Sequence, residues 1–166
     1  MTGTPNVNSF YVCYHALMLL FLSLFAWYDW KHHKVRNAAL LAFLPWCLAS
    51  VLLELSMRSA SSLQLLLSGI LGFLCGGLLL LTVSLATKGG IGGGDIKLVS
   101  LLGICYGTDG ILTILTLSCL AAFIHLSVRA VRKKERPARI PFVPYLAAGC
   151  LIWELGNFAG LILSAD

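Results

Sequence analysis

A glycine-rich polar stretch interrupts an otherwise apolar chain: Gly92-Gly93-Gly94-Asp95-Ile96-Lys97-Leu98. The chain has 166 residues, of which 58% are hydrophobic and only 11% are charged. Soluble domains carry about 25% charged residues, so this composition predicts a protein that lies in lipid. An ionisable side chain is costly within or beside a membrane helix, and Asp95 is therefore a candidate functional residue.

Polar or glycine-rich breaks divide the chain into six apolar segments. A membrane span needs about 20 apolar residues, and all the segments except the short fourth approach that length. The first is too long for the core of a typical signal peptide and is predicted to be retained. We predict an all-α membrane protein of one domain over residues 1–166. Its fold is a six-transmembrane-helix bundle with a glycine-rich loop before helix four. The segments are Phe10–Tyr28, Ala38–Leu55, Leu63–Thr87, Ile96–Tyr106, Ile111–Val128 and Phe142–Leu163.

The positive charges predict the orientation of the bundle. Of the twelve Lys and Arg residues, eleven fall after odd-numbered segments or at the start of the fourth, and only Arg58 lies elsewhere. The positive-inside rule then predicts a multi-pass protein of the cytoplasmic (inner) membrane with both termini outside. The basic run Arg129–Arg139 is interpreted as a topology signal that also attracts anionic lipid headgroups, and no nucleic-acid partner is predicted.

The same orientation places two acids at the cytoplasmic edge, because Asp29 ends the first segment and Asp95 follows the third. Two close carboxyl groups can share one proton. One then activates water while the other protonates a carbonyl oxygen and a leaving amine. This chemistry requires neither a metal nor a cofactor, and none is predicted. Taken singly, Asp95 could instead cap helix four and Asp29 could be a solvated charge.

The cysteines and the helix ends give two further expectations. All six cysteines stand singly in apolar segments, which predicts buried small side chains rather than metal ligands. Asp95 at a helix N-terminus is favoured as a carboxylate, whereas Asp29 near a helix C-terminus is favoured in the protonated form. This asymmetry predicts Asp95 as the general base and Asp29 as the general acid.

The glycines before Asp95 and the remaining polar side chains are predicted to shape the bundle. Gly89–Gly94 can adopt positive φ and would let an extended substrate segment pair along it. His125 is expected to be packed or interfacial, and Glu154 to pair within the bundle or to reach outer water. Small residues recur every four positions in segment three and predict close helix packing: Ser68, Gly72 and Gly76.

Three segments form a larger pattern. Asp29 is followed by a basic run and Asn37, and Gly92–Leu98 reads Gly-x-Gly-Asp-x-Lys-Leu. Ile140–Gly149 reads Ile-Pro-Phe-Val-Pro-Tyr-Leu-Ala-Ala-Gly. In order, spacing and membrane side these segments resemble the type IV prepilin peptidase family, the GxGD-type membrane aspartic proteases.

The resemblance implies an activity and a set of site residues. Members of that family cut a short basic leader from prepilins at the cytoplasmic face, just before a hydrophobic helix. The expected partners are therefore prepilin-like precursors and membrane lipids, and the oligomeric state is left open. Asp29 and Asp95 are implied as the catalytic pair. Substrate-binding or supporting roles are implied for Gly92, Gly93, Gly94, Lys97, Asn37, Pro141, Phe142 and Pro144.

This chain departs from the family pattern in three places. Arg36 stands where the family usually has proline, and Val143 stands where it usually has glycine. Only Trp30–Asn37 separates the first two segments, whereas longer bacterial members carry a tetracysteine zinc insert linked to N-methylation of the cut pilin. We therefore predict a peptidase without methyltransferase activity, similar to the compact enzymes of Tad/Flp pilus or archaellum-type systems.

Two functions from other classes stay open at the level of the sequence. The two acids could form a proton or cation site in a small transporter or channel component. The chain could also be an inactive scaffold for pilus assembly. A presenilin-like GxGD protease is the nearest enzymatic rival, but its Pro-Ala-Leu motif in a late segment is absent.

Overall fold

The structure is a computed structural model that describes residues 5–32, 37–57, 62–88, 90–131 and 141–163. Over these ranges the chain is helical apart from short turns, which confirms the prediction of an all-α protein. The helices are α1 (Pro5–His32), α2 (Asn37–Met57), α3 (Ser62–Ala86), α4 (Gly93–Val131) and α5 (Val143–Leu163).

The prediction of six separate helices is wrong for the described residues, because the fourth and fifth segments form one element, α4. This element is interrupted at Gly107, where the backbone is not helical (φ 66°, ψ −172°). Essentially only glycine adopts that conformation. The sequence predicted a polar break between the fourth and fifth segments. In the structure, the single residue Gly107 makes the turn between them.

The two arms of α4, residues 93–106 and 108–131, fold back beside α3. A Cβ atom built on Gly76 would lie 3.0 Å from a side-chain carbon of Val99 and 3.1 Å from one of Ile111. These two residues are twelve positions apart, which in a straight helix is about 18 Å. Both can approach the same point only because the chain reverses at Gly107.

Close backbone packing joins α3 to the turn of α4. A Cβ atom on Gly72 would contact the carbonyl oxygen of Gly103 and would lie 2.7 Å from the carbonyl carbon of Gly107. The hydroxyl group of Thr108 also donates a hydrogen bond to the carbonyl of Ser68, at 3.5 Å. The small-residue stripe of segment three is thus confirmed as a helix-packing surface.

The core lies around α4, which packs against α2, α3 and α5, while α1 packs mainly on α5. Among the described residues, the fully buried side chains of this core come from α1, α2, α4 and α5. The largest of them include Met18, Leu22, Phe43, Leu102 and Leu146.

Large apolar side chains also cover the outside of the bundle. Leu41, Leu85 and Phe123 are each about 70% exposed. Among the described residues, two stretches are long and apolar enough to cross a membrane, Leu63–Ala86 and Gly93–Arg129, and a shorter apolar stretch covers Asn37–Leu53. An apolar exterior of this extent is unfavourable in water, and the apolar helices indicate a membrane protein.

Candidate active site

Asp29 lies in the last turn of α1 and is buried, with only 4% of its surface exposed. The backbone N–H of Val143 donates a hydrogen bond to its Oδ2 atom, at 3.3 Å. Val143 is the first residue of α5, and the first N–H groups of a helix have no partner within it. The alternative of a solvated charge at Asp29 is therefore wrong, because the carboxyl group is inside the bundle and bound to α5.

The sequence at the start of α5 explains why this N–H group is available. The carbonyl of Phe142 accepts hydrogen bonds from the N–H groups of Tyr145 and Leu146, both at 3.1 Å, and so begins the helix. Pro144 lies in the first turn, where its missing N–H group disrupts no helical bond. Val143 itself is fully buried. Although valine replaces the usual glycine of the family, it keeps the N–H group that binds Asp29.

Asp95 lies in the first turn of α4 and is half-buried. The carbonyl of Gly92 accepts hydrogen bonds from the N–H groups of Asp95, at 3.0 Å, and Ile96, at 3.3 Å. Asp95 is therefore the third residue of α4 and not the residue that precedes the helix. An acidic side chain in the first turn is favoured by the positive end of the helix dipole.

Glycine at position 92 permits the close approach of the Asp95 carboxyl group. A Cβ atom there would lie 3.3 Å from Oδ2 of Asp95, tighter than most contacts of that kind. At Gly93, by contrast, a Cβ atom would meet nothing within 4 Å. The two glycines therefore differ: Gly92 is needed by the carboxyl group, and Gly93 leaves open space beside it.

The structure brings the two acids into one site, where the Asp29 and Asp95 carboxyl groups interact electrostatically. Each also lies at the N-terminal end of a helix, Asp95 on α4 and Asp29 opposite the start of α5. The positive end of a helix dipole stabilises negative charge. Asp29 therefore lies at the C-terminus of α1 and also opposite the N-terminus of α5. The helix dipoles alone do not decide which of the two carboxyl groups is the general acid and which is the general base.

Two of the predicted supporting residues contact each other. The Nζ atom of Lys97 donates a hydrogen bond to Oδ1 of Asn37, at 3.2 Å. Both side chains are exposed, and the bond joins the first turn of α4 to the first residue of α2. Pro141 is half-buried directly before α5, and Gly94 is half-buried beside Asp95.

The described glycines of the loop before α4 do not use the positive φ that glycine allows. Among the described residues of this loop, positive φ occurs at Lys88 (φ 52°) and not at Gly90 or at residues 92–94. The hydroxyl group of Ser84 donates to the carbonyl of Ile91, at 3.1 Å, and ties the loop to α3. Several features of the sequence argument lie outside the described residues, namely His33, Lys34, Arg36, Arg58, Gly89, Arg132–Arg139 and Ile140.

A second polar cluster lies further along α1 and α5. Nδ1 of His15 and Oε1 of Glu154 are 2.6 Å apart, and the Tyr106 ring lies beside His15, with ring centroids 6.2 Å apart. The predicted pairing of Glu154 within the bundle is thus confirmed. His15 was missed, because a single histidine in an apolar run carries no pattern that identifies its partner. His125 is packed, with its Nδ1 atom 2.6 Å from the Tyr145 hydroxyl oxygen.

The cysteines do not form a metal-binding arrangement. All six thiols are free. The prediction of buried cysteines is confirmed for Cys47 and Cys150 and is wrong for Cys13 and Cys119, which are exposed. Within the ranges that the structure describes, no group of three or more His, Cys, Asp or Glu side chains could hold a metal ion.

Fold and site together define an apolar helical bundle that brings two carboxyl groups together at helix N-termini. The model of the type IV leader peptidase family matches residues 16–127, a range that contains both Asp29 and Asp95. The chain belongs to the type IV leader peptidase family.

Two curated relatives carry the printed name prepilin leader peptidase/N-methyltransferase. The protein of Bacillus subtilis (strain 168) is 31% identical over 121 residues, which cover 71% of this chain and 45% of that protein. The protein of Xanthomonas campestris pv. campestris is 40% identical over 87 residues, which cover 46% of this chain and 30% of that protein. The chain thus spans less than half the length of the curated relatives that it matches. No solved structure gives a significant match.

Proposed function

We propose that this protein is a membrane aspartic endopeptidase that removes the short basic leader from type IV prepilin-like precursors. The observation that carries the proposal is that the buried Asp29 carboxyl group lies close enough to the Asp95 carboxyl group to act on it electrostatically. Membership of the leader peptidase family and the relatives' printed names supply the substrate class.

The proposed mechanism needs only water and the two carboxyl groups. One carboxylate takes a proton from water as the oxygen attacks the scissile carbonyl carbon, and the other, protonated carboxyl group donates its proton to the carbonyl oxygen. The tetrahedral intermediate then collapses. The leaving amine receives the proton that was taken from water, and the second carboxylate recovers its proton from a hydroxyl group of the intermediate. The hydrogen bond from the Val143 N–H group holds the Asp29 carboxyl group in place.

We further propose that the site lies at the cytoplasmic face of the inner membrane, with several spans and both termini outside. The positive-inside distribution supports this orientation, and Lys31, Lys88 and Lys97 are exposed on the elements that carry or precede the two acids. Anionic lipid headgroups would be attracted to the same side. The open space at Gly93 is the expected approach for the backbone of an extended leader segment.

We also propose that the protein lacks methyltransferase activity. Helix α1 ends at His32 and α2 begins at Asn37, so four residues separate them and a tetracysteine insert has no room at that position. The prediction is checked by the mass of a pilin cut by this enzyme alone in cells without other leader peptidases. The new N-terminus is expected to be unmethylated, and a mass increased by one methyl group would contradict the proposal.

The activity is tested by co-expressing the protein with a panel of prepilins and comparing wild type with Asp29→Asn and Asp95→Asn. Asparagine keeps the shape of each side chain but cannot transfer the proton. We expect the wild-type protein to cut the prepilin at the junction of leader and hydrophobic helix. Each variant should accumulate in the membrane to the wild-type level but should leave the prepilin uncut. Asp109→Asn, an exposed acid on α4 outside the site, is the matched control and should cut normally.

Two outcomes would contradict the paired-carboxyl proposal. Cleavage by either Asp→Asn variant would show that the reaction does not need both groups. If wild type cuts none of the prepilins but carries an ion flux that Asp→Glu changes preserve, the alternative of a proton or cation site would be favoured instead.

A further inference from the structure

The His15–Glu154–Tyr106 network is an unexpected feature of an apolar bundle. The side chains of His15 and Glu154 are only 16% and 11% exposed. Tyr106 brings in a third helix, because its ring packs beside His15 with ring centroids 6.2 Å apart. Ionisable groups inside such a bundle are costly unless paired, so the network ties α1, α4 and α5 at one point.

The network and the active site are the two ends of one helix pair. Asp29 contacts the start of α5 through Val143, and His15 contacts Glu154 further along α5. Helices α1 and α5 are therefore antiparallel. At 1.5 Å per residue, His15 is about 21 Å from Asp29 along α1, and Glu154 is about 16 Å from Val143 along α5. The two polar contacts fix both ends of the same interface.

Apolar packing alone specifies the register of two helices weakly, because a slide along the axis exchanges one apolar contact for another. A buried polar pair specifies it strongly, since a slide would leave charges without partners. Helix α1 is also tied to α2, because the hydroxyl group of Tyr14 donates to the carbonyl of Trp46 at 3.0 Å. The His15–Glu154 contact is the one that sets its register against α5. A shift of α1 by a fraction of a turn would move Asp29 from the Val143 N–H group.

We propose that the His15–Glu154–Tyr106 network positions the catalytic pair, by fixing the register of α1 against α5 and so holding Asp29 opposite Asp95. The inference rests on the proposed peptidase function. None of the three network residues touches substrate. They act through α1, and a misplacement of about 1 Å at the reacting groups is enough to slow a reaction about 100-fold.

The test separates positioning from stability by replacing the polar tie with apolar contact. Replacing a buried ion pair with apolar residues of similar size is often neutral or stabilising. The double variant His15→Leu/Glu154→Leu should therefore accumulate and unfold at or above the wild-type temperature. On a prepilin that wild type cuts, its kcat should fall about 10- to 100-fold while KM stays within about twofold, as expected when a group far from the substrate shifts a catalytic one. The exchanged variant His15→Glu/Glu154→His restores the pair and should recover most of the lost kcat.

Wild-type kcat in the double leucine variant would overturn the inference, and so would an exchanged variant that stays as slow as the leucine variant. If the leucine variant does not accumulate, Glu154→Gln takes its place. It keeps the size of the side chain but removes the charge that faces His15. It should lower kcat about threefold, and an unchanged kcat would overturn the inference. Asp109→Asn is the control for a polar change outside the network, and an equal loss of kcat there would also overturn it. The proposed function fails separately, if wild type itself does not cut or if Asp29→Asn still cuts.

Discussion

Replacing Gly107 with alanine should destabilise the whole bundle, because this residue alone reverses the direction of α4. Its φ of 66° and ψ of −172° lie in a region that is essentially restricted to glycine. A Cβ atom there would also contact the hydroxyl oxygen of Ser68 on α3. The substitution therefore imposes backbone strain and displaces a neighbouring side chain at the same time.

The magnitude follows from these two costs. A residue held in a sparsely populated backbone region costs about 1–3 kcal/mol, and forcing Ser68 away from its preferred rotamer adds about 0.5–1.5 kcal/mol. Their sum is about 3 kcal/mol. For a chain of this length, each kcal/mol lowers the unfolding temperature by about 2–4 °C, so the expected decrease is about 6–12 °C.

The measurement is thermal unfolding of the detergent-solubilised protein, with wild type and variant under identical conditions. Gly156→Ala is the matched control. It makes the same chemical change on a helix, and a Cβ atom there would meet nothing within 4 Å. We expect Gly156→Ala to leave the unfolding temperature unchanged or slightly raised, because alanine is the better helix former. Equal unfolding temperatures for Gly107→Ala and Gly156→Ala would refute the assignment of the turn to Gly107.

Three further changes test the contacts around the two acids. Val143→Pro should lower kcat for leader cleavage about tenfold, because proline is tolerated at a first helical position but cannot donate a hydrogen bond to the Asp29 carboxyl group. Val143→Ala keeps the N–H group, and its kcat should stay within about twofold of wild type. Equal losses of kcat in the two variants would contradict a role for this hydrogen bond. Gly149→Ala should lower the unfolding temperature, since its Cβ atom would lie 2.7 Å from the carbonyl oxygen of Ile114 and overpacking costs about 1–3 kcal/mol; an unchanged melting curve would count against this packing. Lys97→Met and Asn37→Ala should each lower kcat/KM about threefold. The double variant should lose no more than either single variant, because both changes remove the same hydrogen bond. Additive losses of kcat/KM would show that the two residues act separately.

The sequence was sufficient to single out the two acids that the structure brings near each other, Asp29 and Asp95, because the parity of the apolar segments and the charge distribution predict one edge for both. It could not predict how the acids are held. The bond from Val143 to Asp29 joins residues that are 114 positions apart, and no local pattern encodes such a contact. For the same reason the sequence did not show that the start of α5 faces Asp29, and the assignment of the acid and base roles stays a prediction.

The sequence did not show which glycine has an unusual backbone. The run before Asp95 permits positive φ, yet the described glycines there do not adopt it, and the glycine-restricted conformation occurs at Gly107. A glycine run shows that many conformations are allowed, not which one tertiary packing selects. At Gly92 the missing side chain serves the approach of a carboxyl group, and at Gly107 it serves the reversal of the chain.

The turn at Gly107 also has a consequence for the lipid around the protein. The first arm of α4, residues 93–106, is about 21 Å long, whereas the hydrocarbon core of a typical bilayer is about 30 Å thick. In the orientation proposed above, with Asp95 at one surface, this arm ends short of the other surface. Such hydrophobic mismatch is relieved by local thinning of the bilayer or by helix tilt. The thickness of the surrounding membrane therefore becomes a factor in how deeply the two carboxyl groups lie and in how readily water reaches them.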